Sequence, residues 1–274
     1  MALGGNPVFR GKNFRSAVSA APPVPPSPYG QSVMTADQLD ELYRAPSAGP
    51  AQTGRISYDD VIVKTLACLA LVVVGAAVTL AMPAGLRLGL MILGGIGGFV
   101  LALVNTFKRE PVPALILAYA ALEGLFLGGL TALIDYAGKG LGVQAVLGTF
   151  AVAGVTLFLY RSGKVRATPK LARLFLIAMG GYLAFSVLNL VLMLFGVVQN
   201  PWGLRSGMVG IGIGLVAVVL AAISLIFDFN SIEDAVRSGA PRQVSWTAAF
   251  GLTVTLVWLY TEILRLLAIF NSSD

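Results

Sequence analysis

The sequence predicts an all-α protein, a polytopic membrane domain of seven transmembrane helices. Three observations carry that prediction. Of 274 residues, 57% are hydrophobic and only 12% charged, where an ordinary soluble domain carries about a quarter charged residues. Seven apolar stretches are each long enough to cross about 30 Å of hydrocarbon at about 1.5 Å per residue. The basic residues also gather on one side of those stretches.

Residues 1–58 differ in kind from the rest. "SAVSAAPPVPPSPYGQS" is rich in proline and serine and lacks the apolar content to build a core, so the segment reads as a disordered Pro-rich tail. Within it, "TADQLDELYR" offers a short amphipathic helix through Leu39, Leu42 and Tyr43. The early basic residues Arg10, Lys12 and Arg15 are not followed by an apolar h-region, so the tail is not a signal peptide.

Residues 59–274 then form the seven-helix domain. The predicted spans run from Val61 to Met82, Leu86 to Phe107, Ala114 to Leu133, Leu141 to Tyr160, Leu174 to Val198, Gly207 to Phe229 and Trp246 to Phe270. Of the nineteen Lys and Arg residues, fourteen fall in the tail and the loops on its side, and only Arg87, Lys139 and Arg205 fall opposite. The loops alone divide nine against three. The positive-inside rule therefore places the N-terminus in the cytoplasm and the "NSSD" end outside.

The same distribution explains the net charge of +6. The basic residues flank spans and suit anionic lipid headgroups. They do not form the base-reading or stacking surface that a nucleic-acid partner requires. A single cysteine, Cys68, excludes an intramolecular disulfide, and the absence of histidine argues against haem, zinc and Ser-His chemistry. No nucleotide-binding loop is present, and the chain is not expected to be an enzyme.

Small residues recur at the spacing that lets helix backbones approach closely. Gly85 and Gly89, Gly94 and Gly98, and Gly124 and Gly128 show it, and "GMVGIGIG" adds Gly207, Gly210, Gly212 and Gly214. A compact helical bundle is expected.

The functional candidates are the ionisable residues inside the spans, since each costs about 2.5–3.5 kcal/mol at mid-bilayer on insertion scales. Lys64 and Arg173 lie near predicted span ends and can snorkel. Glu123, in "LAYAALEGLFLGGL", lies about ten residues into its span. It is either a protonated acid bonded to a neighbouring helix or a member of a proton or cation route. Glu262 and Arg265, three residues apart in "LVWLYTEILRLLAIF", share a helical face and can pair.

Asp228, in "SLIFDFNSIEDAV", has two readings. It is a solvated end residue if its helix stops there. It is held inside the bundle if the helix continues through "NSIEDAVRSG" to the stop signals Gly239 and Pro241.

At these residues the sequence resembles the Bax inhibitor-1 family, also called the transmembrane Bax inhibitor motif family. The resemblance covers Asp59 to Phe270 and is carried most specifically by "FDFNSI" in the sixth span and "LYTEILRLL" in the seventh. "YAALEGLFLGG" is similar to the third-span signature of the bacterial branch, and "NPVF" and "YDDVIVKT" resemble its actinobacterial members.

The resemblance implies six helices around a central seventh, and residence in a bacterial plasma membrane. It implies a carboxylate pair from the sixth and seventh spans acting as a pH sensor for passive calcium movement. By position these are Asp228 and Glu262, with Glu123 and Arg265 in support. Ca²⁺ is then the permeant or regulatory ion, with no tightly bound cofactor. Two close carboxylates titrate as a unit, and their oxygens suit Ca²⁺. The chain departs from the family pattern in having Glu262 where an aspartate is usual, and in the 34 positions between the two acids.

Two functions of different class follow. One is a pH-sensitive calcium-permeable leak pathway gated by the acidic pair. The other is a membrane interaction protein that modulates a membrane-bound protease or a stress or cell-death pathway through its tail, since such segments can fold on a partner. Proton-coupled secondary transport would use the same acids. An aspartyl intramembrane protease needs a second aspartate in a Gly-x-Gly-Asp context, which is missing.

Overall fold

The computed structural model describes residues 54–271 apart from 109, 136–138 and 201. Seven helices follow in chain order: α1 (Tyr58–Ala81), α2 (Ala84–Phe107), α3 (Pro113–Ile134), α4 (Leu141–Arg161), α5 (Pro169–Leu194), α6 (Gly207–Arg237) and α7 (Val244–Asn271). All seven are long and apolar enough to cross a membrane. No strand is present among the described residues, where only Arg55 and Pro241 form an isolated bridge. The tail helix expected through Leu39, Leu42 and Tyr43 lies outside the described residues.

Local chemistry sets the helix ends. Ser57 caps α1 by accepting the Asp60 N–H at 3.1 Å, and Asp59 and Asp60 place negative charge at the positive end of the helix dipole. Pro113 and Pro169 sit in the first turns of α3 and α5, where a missing N–H costs nothing. Thr168 completes the α5 cap by accepting from Leu171 N–H at 3.2 Å.

The fifth helix therefore starts five residues before the predicted span, because Thr168 and Pro169 set its start and the charged Lys170 and Arg173 do not. The sixth continues eight residues beyond Phe229, as the Gly239 and Pro241 stop signals anticipate. It is capped at Ser238, and Gly239 takes a left-handed φ of 66° that suits glycine.

Packing is uneven. α7 is the most buried helix, and α2 and α5 are the least. α7 packs against α6, α1, α4 and α3, whereas α2 lies chiefly on α3. The tail does not leave the body at Tyr58. Ile56 is buried, its N–H donates to Ala240 O at 2.8 Å, and Arg242 N–H donates to Gly54 O at 2.8 Å. Residues 54–57 are thus sewn to the loop between α6 and α7.

Only some of the small residues are used for close approach. At Gly75 and Gly124 the backbones of α1 and α3 touch, and a Cβ on Gly75 would lie 2.6 Å from Ala121 O. A Cβ on Gly94 would likewise collide with the α3 backbone at Leu122 and Phe126. Gly85, Gly89 and Gly212 have open space beside them and carry no packing of this kind. Gly124→Val is therefore expected to destabilise the detergent-solubilised protein by at least the ~1–3 kcal/mol of an overpacked core. Gly89→Ala should leave it unchanged. Equal unfolding midpoints for the two variants would show that the α1–α3 contact does not hold the bundle.

Candidate functional site

The continuation of α6 beyond Phe229 has a packing cause. Ile232 and Ala235 join Ile56, Val61, Val244 and Ala248 in one apolar cluster, so the helix buries a face against α1 and α7 before it ends. Asp228 is left about two and a half turns inside α6, fully buried. Its Oδ2 accepts a hydrogen bond from the Thr255 hydroxyl of α7 at 2.7 Å. Thr255 shares that proton with the Gly251 carbonyl at 3.2 Å.

The second carboxyl oxygen, Oδ1, is buried and accepts no hydrogen bond. No cation pairs with Asp228 among the described residues. The acid is therefore an under-satisfied polar group in the α6–α7 seam, with Phe227 beside it packed on Phe175 of α5 at 5.4 Å between ring centroids. Leaving such a group partly unpaired in an apolar interior costs free energy that neighbouring structure must supply.

Glu262 has the opposite surroundings. Its Oε2 accepts from Arg265, with Nε at 3.2 Å and Nη2 closer, and its Oε1 accepts from the Tyr182 hydroxyl of α5. The Arg205 guanidinium stands 3.7 Å from Oε1, donates to Tyr182 Oη at 3.1 Å and reaches Ser186. Arg205 also lies over the Tyr182 ring at 4.9 Å. Arg265 donates onward to Gly210 O at 3.3 Å. Two guanidiniums thus surround one carboxylate, joining α5, the start of α6 and α7.

The structure does not bring Asp228 and Glu262 together. Thr255, which holds Asp228, precedes Glu262 by seven residues on α7, about 10 Å along the axis. Seven residues are nearly two turns, so both acids address one face of α7 at different depths and through different partners. The sequence signal for Asp228 was the helix running on to Gly239. Thr255, Tyr182 and Arg205 carried no comparable signal: Arg205 reads as a loop charge, and the two hydroxyls as ordinary span residues.

Glu123 lies elsewhere. Its carboxyl faces Gly98 across the α2–α3 seam, where a Cβ would strike it. Lys64 donates to Ser245 and lies over the Trp246 ring at 5.1 Å, tying α1 to the first turn of α7.

Ca²⁺ takes six to eight oxygen ligands at about 2.3–2.6 Å. Asp228 has one threonine hydroxyl near its carboxylate, and Glu262 is occupied by arginines. Among the described residues no group of three or more acidic, histidine or cysteine side chains converges. Asp228 and Glu262 thus have different surroundings, and the arginine cluster fills the space around Glu262 with positive charge.

The asymmetry of that cluster makes a prediction. Removing one partner of a buried ion pair costs about 3–5 kcal/mol. Glu262→Gln strands two guanidiniums, whereas Arg265→Gln leaves Arg205 to face Glu262. Glu262→Gln should therefore be the more destabilising of the two in thermal unfolding, and the reverse order would remove Arg205 from the network.

Compared with known proteins, the sequence matches the family described as Bax inhibitor 1 like over residues 6–272. No curated protein matches it. The match spans nearly the whole chain, from the tail to the end of α7, and takes in both Asp228 and Glu262. The chain is thus a member of the Bax inhibitor 1 like family, built as seven helices long and apolar enough to cross a membrane.

Proposed function

We propose that this membrane protein is a passive, pH-responsive cation pathway, with calcium among its permeant ions, and that Asp228 is its responsive group. One observation carries the reading. Asp228 is fully buried between α6 and α7 with one oxygen bonded to Thr255 and the other unpartnered. Protonated, the group is neutral and the seam packs closed around it. Ionised, it is a buried charge without a counter-ion, and the seam lowers its energy by admitting water or a cation. A change in one proton is thereby a change in how α6 and α7 meet.

Glu262 has a separate role in this reading. Its charge is compensated within its own cluster, which holds α5 and the start of α6 on α7 and gives that end of the seam a net positive character.

A second reading has its own observation. Residues 54–56 are hydrogen-bonded to the α6–α7 loop, and Arg242 of that loop holds Asp60 at 2.8 Å. A partner that pulled on the tail would act directly on the two helices that carry Asp228, as an interaction protein would require.

Calcium flux into proteoliposomes, followed from acidic to neutral pH, tests the proposal. Wild type should conduct with a pH dependence that Asp228→Asn abolishes and Glu262→Gln retains. Deleting residues 1–50 should leave both flux and pH response in place. A pH response that survives Asp228→Asn would overturn the assignment, and flux that vanishes with the tail would favour the interaction protein.

A further inference from the structure

A groove of about 560 Å³ opens between α1 and α4, with α7 as its back wall. This lies within the range of sites that hold small organic ligands, roughly 300–1,000 Å³. Its flanks are Val73 on α1 and Val143, Val146 and Phe150 on α4, and its floor is Leu256 and Tyr260 on α7. Val73, Val143 and Phe150 are exposed, so the groove faces the hydrocarbon directly. The walls are apolar and suit an acyl chain.

One end of the groove is different. Arg87 of α2 and Asp135 at the end of α3 both line it, on the side of the bundle opposite the tail. They carry opposite charges yet do not pair with each other among the described residues. Arg87 uses Nε and Nη2 on the carbonyls of Met82 and Leu80, at 2.8 and 3.0 Å, which leaves Nη1 uncommitted to either. Asp135 Oδ1 is buried and accepts no hydrogen bond. The Thr131 hydroxyl donates to Leu127 O at 2.7 Å and accepts from the Tyr260 hydroxyl at 2.7 Å, so neither proton is left for it.

A cation and an anion held apart at the mouth of an apolar slot form the complement of a zwitterionic headgroup. We propose that this groove is a binding site for a phospholipid bearing a primary amine, such as phosphatidylethanolamine. One acyl chain lies along α7, the phosphate faces Arg87, and the ammonium donates to Asp135. Guanidinium binds phosphate well through charge-assisted hydrogen bonds. The ammonium donates N–H groups to the Asp135 carboxylate, which a trimethylammonium headgroup cannot do. The site is independent of the Asp228 seam, so neither assignment rests on the other.

The test is native mass spectrometry of the full chain in detergent, delipidated and titrated with phosphatidylethanolamine, phosphatidylcholine or phosphatidylglycerol carrying identical acyl chains. Wild type should bind phosphatidylethanolamine about tenfold more tightly than phosphatidylcholine, the factor that one charge-assisted hydrogen bond contributes. Asp135→Asn should erase that preference, weakening phosphatidylethanolamine more than phosphatidylcholine. Val146→Trp, which fills the groove from an exposed position on α4, should weaken all three lipids, and Phe150→Ala should weaken them by loss of wall contact. Circular dichroism checks that each variant keeps its helices. Equal affinities for the two zwitterionic lipids in wild type, a preference that survives Asp135→Asn, lipid binding indifferent to both wall variants, or dimers in place of lipid adducts would each overturn the proposal.

Discussion

The hydrogen bond from Thr255 to Asp228 is the constraint around which the bundle is arranged. In hydrocarbon no water is available to satisfy a buried carboxyl group, so its partner must come from protein. That need fixes α6 against α7 at one register, and both helices must extend far enough toward the tail side to make the contact. α6 does so by running to Arg237, which in turn brings Ile232 and Ala235 onto the apolar cluster with Ile56. The sewing of residues 54–56 to the α6–α7 loop follows from the same geometry, because the loop lies where the long α6 ends.

A second consequence concerns α5. This helix is among the least buried, and its packing in the bundle is mainly on α6. Its attachment to α7 is polar: Tyr182 on Glu262, assisted by Arg205, with the Tyr182 and Trp258 rings 5.8 Å apart. Interhelical hydrogen bonds in membranes are individually modest, at about 0.6–2 kcal/mol. Compensating Glu262 with two arginines concentrates several of them in one place. The apolar contact of Phe175 with Phe227 adds a second point nearer Asp228.

Much of this fold was legible in the sequence. Length and apolarity found all seven helices, and Gly239 with Pro241 marked where α6 would end if it ran past its apolar stretch, the one of the two readings open for Asp228 that the structure takes. The three-residue spacing of Glu262 and Arg265 foretold their pairing, which the structure contains. What the sequence could not supply was the third dimension across helices. Nothing local to Thr255 or Tyr182 distinguishes a hydroxyl that holds an acid from one that bonds its own helix, as Thr253 does to Ala249 O. Arg205 reads as a loop cation because its distance from Glu262 in sequence hides their distance in space. Glu123 was visible as an intramembrane acid, but its place in the α2–α3 seam depends on which face of α3 meets Gly98.

The two acids stand in regions of opposite electrostatic character. Near Glu262 the surplus guanidinium gives a positive local charge, and such groups act as electrostatic barriers to cations in narrow passages. Near Asp228 no cation pairs with the acid among the described residues, and its own negative charge exists only after proton loss. In the proposed pathway a cation reaching the seam from the tail side meets an ionised aspartate with no competing counter-ion, whereas one from the opposite side must first pass the arginines. In that proposal Asp228 sets the response to protonation, and Arg205 and Arg265 set the resistance to free exchange. Because Thr255, which holds Asp228, and Glu262 share one face of α7 nearly two turns apart, a movement of that one helix would, in the proposal, alter the surroundings of both acids without their carboxyl groups touching.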